Sequence, residues 1–229
     1  MVEQNNFDAR RGALLLAVPA LLTIVAVLHH PTLPPDAVAS HEQLAHGLQN
    51  LSTLNAVFHV GVMLLIGLQA MGLIYLAEAI GLRGLWVRAG LVFYGLGAAL
   101  LFSAASTDGF AVAFLANRFD SAQLSDASTL SATLVSLSAG IQGFTRSGLV
   151  NQAVAQLFLS VAVWLHFHAL RGAASVGCLA ALVLLAELLH DTNPIGPQQL
   201  GLLTLVTSVW YCGAAACLWL RKFAAAAPS

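Results

Sequence analysis

Charge is scarce in this sequence of 229 residues. Asp, Glu, Lys and Arg together make up 8% of it, whereas hydrophobic residues make up 59%. A soluble globular domain carries charge on roughly a quarter of its residues, and the mean hydropathy of this chain is +0.82. The composition therefore excludes an ordinary soluble fold and indicates a protein of the lipid bilayer.

The balance of charge also excludes a class of partner. Nine Lys and Arg stand against ten Asp and Glu, which gives a net charge of −1. Binding to nucleic acid depends on clustered positive charge that neutralises phosphates. The sequence has no such basic patch, so we expect no nucleic-acid partner.

Cysteine is also rare, and Cys178, Cys212 and Cys217 all fall inside apolar segments. Three cysteines are too few for a disulfide-stapled fold. Cys212 and Cys217 are five positions apart, so they do not share a helix face as metal ligands would. We expect thiols that pack as small hydrophobic side chains.

In place of charge, the sequence has long apolar runs. A helix needs about 20 apolar residues to cross the hydrocarbon core of a bilayer. Runs near or above this length can be drawn at 13–28, 55–79, 90–110, 149–170, 173–189 and 200–220. We therefore expect an all-α, polytopic membrane helix bundle with six transmembrane helices. It would form a single domain over 13–222, between tails at 1–12 and 223–229.

The placement of basic residues predicts the orientation of the bundle. Seven of the nine lie in the tails and in the second and fourth connections, and the other two are Arg118 and Arg146. Loops rich in Lys and Arg remain in the cytoplasm. We expect both termini to be cytoplasmic and the external loops to cover about 29–53, 111–146 and 190–199.

The long third connection contains a helical pattern of its own. Apolar residues recur there at helical spacing, with serines on the opposite side: Leu130, Leu134, Leu137, Ile141 and Phe144. This pattern predicts an amphipathic external helix that lies on the membrane or caps the bundle. A lid over a site and a surface helix without such a role are both consistent with it.

One carboxylate lies inside the third apolar run. An Asp facing lipid costs about 2.5–3.5 kcal/mol on insertion scales, so Asp108 should face protein or a water-filled cavity. A stripe that includes small residues continues its helix face: Gly90, Tyr94, Gly97, Leu101 and Ala104. Small residues let helices pack closely in lipid, so we expect this face to turn inward.

A set of ionisable side chains that includes six of the eight histidines gathers with Asp108 at the external end. They are His29, His30, His41, His46, His59, Asp108, Arg146, Glu187, His190 and Asp191. Ionisable groups at membrane depth are functional candidates by default. His29, His30, His41 and His46 are equally consistent with residues that sit in water or among headgroups.

This residue set predicts a divalent metal site, with zinc as the default ion. Neutral imidazoles and carboxylates are suitable zinc ligands, and a catalytic site keeps one position for water. The expected ligands are His59 and His190 with one of His29 or His30. Asp108 is then a fourth ligand or the acceptor that orients a histidine.

Such a site suits hydrolysis of a lipid amide or ester whose chain remains in the bilayer. Bound zinc lowers the pKa of water to about 7 and polarises a carbonyl. Glu187 is the candidate general base, and Asp108 also has a catalytic role as a ligand. Arg146, just before the fourth run, and Gln152 and Gln156, within it, are the candidates for substrate binding.

The residue types are similar to those of membrane hydrolases of the ceramidase and adiponectin-receptor type, which use three His, one Asp and a Ser in a helical bundle. Those proteins have seven helices and a His-x-x-x-His pair. The close external pairs here are His29-His30 and His41-His46. The likeness is one of chemistry, and it implies metal-dependent hydrolysis.

A redox protein would also be consistent with these histidines. Haem b or copper could be held by histidines on different helices, with His59 and His190 as the candidate axial pair. The sequence contains no attachment motif for c-type haem.

Transport and assembly are functions that the same residues could serve. Asp108, His59 and the polar ladder of Gln152, Gln156 and Ser160 could line a proton or ion path. Gly- and Ala-rich helix faces also favour homo-oligomers or a scaffold subunit. Polar residues become fewer toward the cytoplasmic half. This favours a pocket that opens on one side of the membrane over a continuous path across it.

Overall fold

The structure is a computed structural model that describes residues 2–31, 41–120, 127–191 and 193–220. The described chain is helical apart from short connections. Its α-helices are α1 (Val2–Leu28), α2 (His41–Ile80), α3 (Leu85–Ser106), α4 (Val112–Asp120), α5 (Ala127–His166), α6 (Arg171–His190) and α7 (Pro197–Trp219). A π-helical turn, Thr107–Ala111, joins α3 to α4, and a 3₁₀ turn, His168–Leu170, precedes α6.

Six helical segments are long and apolar enough to cross a membrane. They are Asp8–Leu28, Gly47–Ile80, Leu85–Leu115, Ala132–His166, His168–His190 and Pro197–Trp219. Large apolar side chains such as Leu64, Val92 and Leu179 are exposed on the outside of the bundle, where lipid would contact them. The predicted all-α fold with six candidate membrane spans is confirmed.

α3 and α5 pack closely along the face that carries small residues. Gly90, Tyr94, Gly97 and Ala104 are all buried. A methyl group built on Gly97 would lie 2.8 Å from the carbonyl oxygen of Gly148, so a larger residue would separate the helices. The predicted inward stripe is confirmed, and it brings the end of α3 into the bundle interior.

The predicted amphipathic external helix is helical, but it is not a separate element. It forms the first part of α5, which runs without interruption from Ala127 to His166. No proline occurs between these residues, so every backbone N–H can continue the helical ladder. Most of the segment therefore falls within the fourth candidate span, Ala132–His166.

The order of helices in space differs from their order along the chain. α1 packs against α2 and α7, and α5 packs against α3 and α6. Leu16, Leu73, Leu159 and Leu218 are fully buried within the bundle. α6 and α7 are consecutive, but they make little contact with each other. α6 packs mainly against α5, and α7 packs mainly against α1.

Candidate metal centre

His30 stands where the first helix stops. α1 ends at Leu28, and Pro31 follows His30. A residue before proline is disfavoured in helical conformation, so the chain leaves the helix here. The His30 ring packs edge-on against the rings of Phe58 and His59, with centroids 4.9 and 5.4 Å apart. The first connection therefore places an imidazole against α2.

α2 supplies the buried histidine of the site. The side chain of His59 is 7% exposed, and its Nδ1 lies 2.8 Å from the backbone oxygen of Asn55, one turn earlier. With Nδ1–H donating to that carbonyl, the ring is held in one orientation. Its Nε2 then faces Asp108 Oδ2 at 3.2 Å.

Asp108 lies in the π-helical turn Thr107–Ala111. Such turns contain one residue more than an α-helical turn and occur often at functional sites. Gly109 allows the turn to approach α2, since a methyl group built there would lie 2.8 Å from His59 Cβ. Asn55 Nδ2 donates to the backbone oxygen of Asp108 at 2.9 Å. Asn55 thus contacts both His59 and Asp108.

The three side chains have the spacing of metal ligands. Nε2 of His30 and of His59 lie 3.7 and 3.2 Å from Asp108 Oδ2, and one ligand atom from each residue lies within 4.8 Å of the others. Two ligands bound at about 2.0–2.2 Å to a tetrahedral ion lie roughly 3.3–3.6 Å apart. The two distances to Asp108 Oδ2 lie on either side of this range, so the group could hold one ion.

The same geometry also permits a metal-free state. A protonated histidine beside a carboxylate forms an ion pair at these distances. A metal ion would replace the shared proton between His59 and Asp108. The side chains of His30 and Asp108 are each 29% exposed, so one side of the group remains open for a further ligand.

Three of the sequence-predicted ligands come together here, namely His30, His59 and Asp108. His29 is exposed, and its Nδ1 lies 2.9 Å from the backbone oxygen of Val25 in its own helix. The group does not include His29 or His190. The side chains of His41 and His46 lie outside the described residues.

Glu187 and Asp191 form a second polar cluster with Gln199 at the end of α6, where His190 also lies. Gln199 Nε2 donates to Glu187 Oε1 at 3.1 Å and to Asp191 Oδ2 at 3.2 Å. The backbone N–H of Asn193 donates to Asp191 and lowers the pKa of that carboxyl. These contacts join α6 to α7, and Glu187 is not part of the His30, His59 and Asp108 group.

Arg146 holds the same end of α6 against α5. Its guanidinium donates to the backbone oxygens of Leu188, Asp191 and Asn193, the first at 2.7 Å. Leu188 lies in the last turn of α6, where backbone oxygens lack partners within the helix, and Asp191 and Asn193 follow the helix directly. Arg146 therefore links α5 to the end of α6 by hydrogen bonds.

Gln152 and Gln156 lie on the buried face of α5. Gln152 packs beside Gly97 of α3, and Gln156 Nε2 donates to the backbone oxygen of Gly177 in α6 at 3.1 Å. Both are more than nine-tenths buried. They line the interior between helices, and neither contributes to the His30, His59 and Asp108 group.

Asn55 and Gly109 support the site, and sequence reasoning did not assign them that role. The signal for Asn55 was its place in one polar stripe with Ser52 and His59, at helical spacing. Gly109 follows Asp108 directly, but a glycine in an apolar run does not reveal a π-helical turn. Their function becomes visible only in the contacts between α2 and the turn.

Comparison of the chain with protein-family models, with curated proteins and with solved structures found no match. The function must therefore be argued from the geometry of the site.

Proposed function

We propose that His30, His59 and Asp108 bind one divalent metal ion, zinc by default, at the external end of a membrane-spanning bundle. The observation that carries the proposal is the approach of three ligand atoms to within 4.8 Å of one another. Two imidazoles and a carboxylate form a ligand set that suits zinc and leaves a position for water. Because Nδ1 of His59 is hydrogen-bonded to a backbone carbonyl, its Nε2 is the nitrogen that remains to bind the ion.

We further propose that this ion serves hydrolysis of a lipid ester or amide. A zinc ion supplies a nucleophilic water at neutral pH and polarises a carbonyl. His30 is two residues beyond the candidate span Asp8–Leu28, which supports a site near the membrane surface, where a lipid's ester or amide groups lie. Hydrolysis would add OH to the acyl carbon and H to the leaving alcohol or amine.

A histidine-ligated haem is less compatible with this arrangement. Two axial histidines must face each other across a macrocycle, whereas His30 and His59 converge on the same carboxylate oxygen. His190, the other candidate, stands at the end of α6 beside the Gln199 cluster. Copper can use the same three ligands as zinc, so metal analysis decides between the two ions.

Elemental analysis tests the metal proposal directly. The protein should be purified in detergent without chelators and without a nickel column. We expect about one zinc ion per chain, because three protein ligands suffice for a catalytic zinc site. His59→Ala and Asp108→Ala should lose the ion, since each removes a ligand.

His29→Ala and His190→Ala are the matched controls. Each removes one histidine near the same end of the bundle but outside the three-residue group, so both should retain the ion. Absence of metal from the unmutated protein, or equal loss from the control variants, contradicts the proposed site. Copper instead of zinc would redirect the function toward redox chemistry.

Activity is tested on fluorogenic lipid esters and amides presented in mixed micelles. We expect turnover that a chelator abolishes and added zinc restores, because the reactive water depends on the ion. His59→Ala should be inactive and His29→Ala active. Turnover that survives both chelation and His59→Ala would contradict a metal-dependent hydrolase.

A further inference from the structure

An open cleft of about 630 Å³ lies between the α2–α3 connection and the end of α5, at the end of the bundle opposite the metal centre. His59 and Ile80 belong to the same helix and are about 30 Å apart at a rise of 1.5 Å per residue. This distance matches the hydrocarbon thickness of a bilayer. Three candidate membrane spans have an end at the cleft, namely Gly47–Ile80, Leu85–Leu115 and Ala132–His166. Its position supports a cleft at the level of lipid headgroups.

The connection between α2 and α3 is short, and its backbone contacts fix the shape of one wall. Gly81 has a φ of +116°, a conformation that residues with a Cβ rarely adopt. The N–H of Gly84 donates to the oxygen of Gly81 at 3.2 Å, and Arg88 Nε donates to the oxygen of Leu82 at 3.1 Å. The connection held in this way places Arg83 in the lining of the cleft.

The cleft carries one side chain of each charge, and both are available to a ligand. Glu78, in the last turn of α2, and Arg83 line it, and both are exposed. Within the described chain, neither side chain forms a hydrogen bond or an ion pair. His166 also lines the cleft, and its Nδ1 lies 2.8 Å from the backbone oxygen of Ala162. With Nδ1–H donating to that carbonyl, Nε2 remains free to accept a hydrogen bond.

The rest of the lining is mainly apolar. Ile80 ends α2, Leu82 lies in the connection and Val87 lies in the first turn of α3, and all three line the cleft. A ligand that fits this lining has a polar part with both charges and an adjoining hydrocarbon part. Among molecules at the surface of a bilayer, phospholipids have this composition.

We propose that this cleft binds the headgroup of a membrane phospholipid that carries a phosphate and a primary ammonium, as in phosphatidylethanolamine. Arg83 donates to the phosphate, because a guanidinium forms paired hydrogen bonds with phosphate oxygens. The ammonium, which has three N–H donors, donates to the Glu78 carboxylate and to His166 Nε2. Ile80 and Val87 contact the beginning of the acyl chains. The site is separate from the metal centre and does not depend on the proposed hydrolase activity.

The lining also distinguishes this headgroup from two other kinds. A quaternary ammonium is recognised by cages of aromatic rings, but among the described residues of the lining only His166 has a ring. An anionic headgroup without an ammonium would place its phosphate beside the unpaired carboxylate of Glu78, and like charges at an interface repel. A zwitterion with N–H donors satisfies Glu78 and Arg83 together.

Native mass spectrometry tests the preference. The full protein in detergent is mixed with equal amounts of phosphatidylethanolamine, phosphatidylcholine and phosphatidylglycerol that have the same acyl chains, and the bound lipids are counted. We expect severalfold more phosphatidylethanolamine than either of the others. Equal binding of the three lipids would overturn the proposal. Glycerophosphoethanolamine, which has the headgroup without the chains, should not displace the lipid at equal concentration. Displacement would assign the cleft to a soluble ligand and contradict a lipid site.

Glu78→Gln and Arg83→Gln test the two charges. Each should lower binding of phosphatidylethanolamine severalfold, to the level of phosphatidylcholine. Asp8→Asn and Arg171→Gln are the matched controls, because each removes the same charge at the same end of the bundle from a residue outside the lining. Both controls should keep the preference, and equal loss in controls and test variants would contradict the site. Melting temperature verifies that all four variants fold.

Methylation of the lipid amine tests the contact with Glu78. One, two or three methyl groups leave the positive charge in place but remove the N–H donors one at a time. We expect binding to the unmutated protein to fall along this series, and the Glu78→Gln variant to show a much smaller fall. Constant binding along the series in the unmutated protein would overturn the proposed recognition of a primary ammonium.

Discussion

Asn55 contacts two of the three proposed ligands by different atoms. Its backbone oxygen accepts from His59 Nδ1, and its side-chain amide donates to the backbone oxygen of Asp108. Partners of this kind orient metal ligands, and their loss lowers metal affinity by about 10- to 100-fold. We therefore expect Asn55→Leu to weaken zinc binding by that order, as measured by competition with a chromophoric chelator.

Asn151→Leu is the control for this substitution. Asn151 Nδ2 donates to the backbone oxygen of Ser147 within its own helix, at 2.8 Å, so its loss should not change zinc affinity. Equal weakening by both variants would point to a general effect on folding. Unchanged affinity in Asn55→Leu would mean that Asp108 is positioned without the amide.

The sequence was sufficient to find His59 and Asp108, because both are ionisable residues within apolar runs. It could not choose between His29 and His30, since that choice depends on where α1 ends and which way the chain turns. It also grouped His190 with His59. Sequence gives the depth of each residue along its helix, but it does not give which helices are neighbours.

At the scale of helices, Arg146 is the main polar link between α5 and the end of α6. All three of its acceptors are backbone oxygens, which remain in place when other side chains are substituted. We expect Arg146→Ala to lower the free energy of unfolding by about 1–3 kcal/mol, observed as a lower melting temperature in detergent. Zinc content should not change, because the metal ligands lie on other elements.

The Arg146→Lys variant tests whether the positive charge of Arg146 is sufficient or whether the shape of its guanidinium group is also needed. Lysine keeps the positive charge but lacks the planar fork that reaches several acceptors at once, so the melting temperature should also fall. If both variants keep their stability but raise the KM for a lipid substrate, Arg146 binds substrate, as its position in the sequence first indicated.

The number and type of the membrane helices followed from the sequence, because a bilayer requires long apolar segments with satisfied backbones. Two features did not follow. Thr107–Ala111 forms a π-helical turn without any distinguishing residue pattern, and α5 continues through a segment whose amphipathic pattern indicated a separate helix. The π-helical turn packs against α2 through Gly109, a contact between helices that the sequence alone does not give.

For the molecule as a whole, the distribution of Lys and Arg predicts that the metal centre faces away from the cytoplasm. We expect a cysteine at position 29, in His29→Cys, to react with a membrane-impermeant maleimide in intact cells. A cysteine in Arg83→Cys, at the opposite end of α2, should react only after lysis. Labelling is measured by a shift in gel mobility.

These variants require a background in which Cys178, Cys212 and Cys217 are replaced by alanine. All three lie in candidate membrane spans and are partly buried, so small apolar replacements should be tolerated. The reverse labelling pattern would place the site on the cytoplasmic side and make the proposed external substrate untenable.

The proposed ligands occur in the order His30, His59 and Asp108, at the end of α1, within α2 and just beyond α3. During synthesis, the first two ligands are made before the third. The centre can therefore be completed only when the third span is released. All three ligands are thus present in the chain before α5, α6 and α7 have been made.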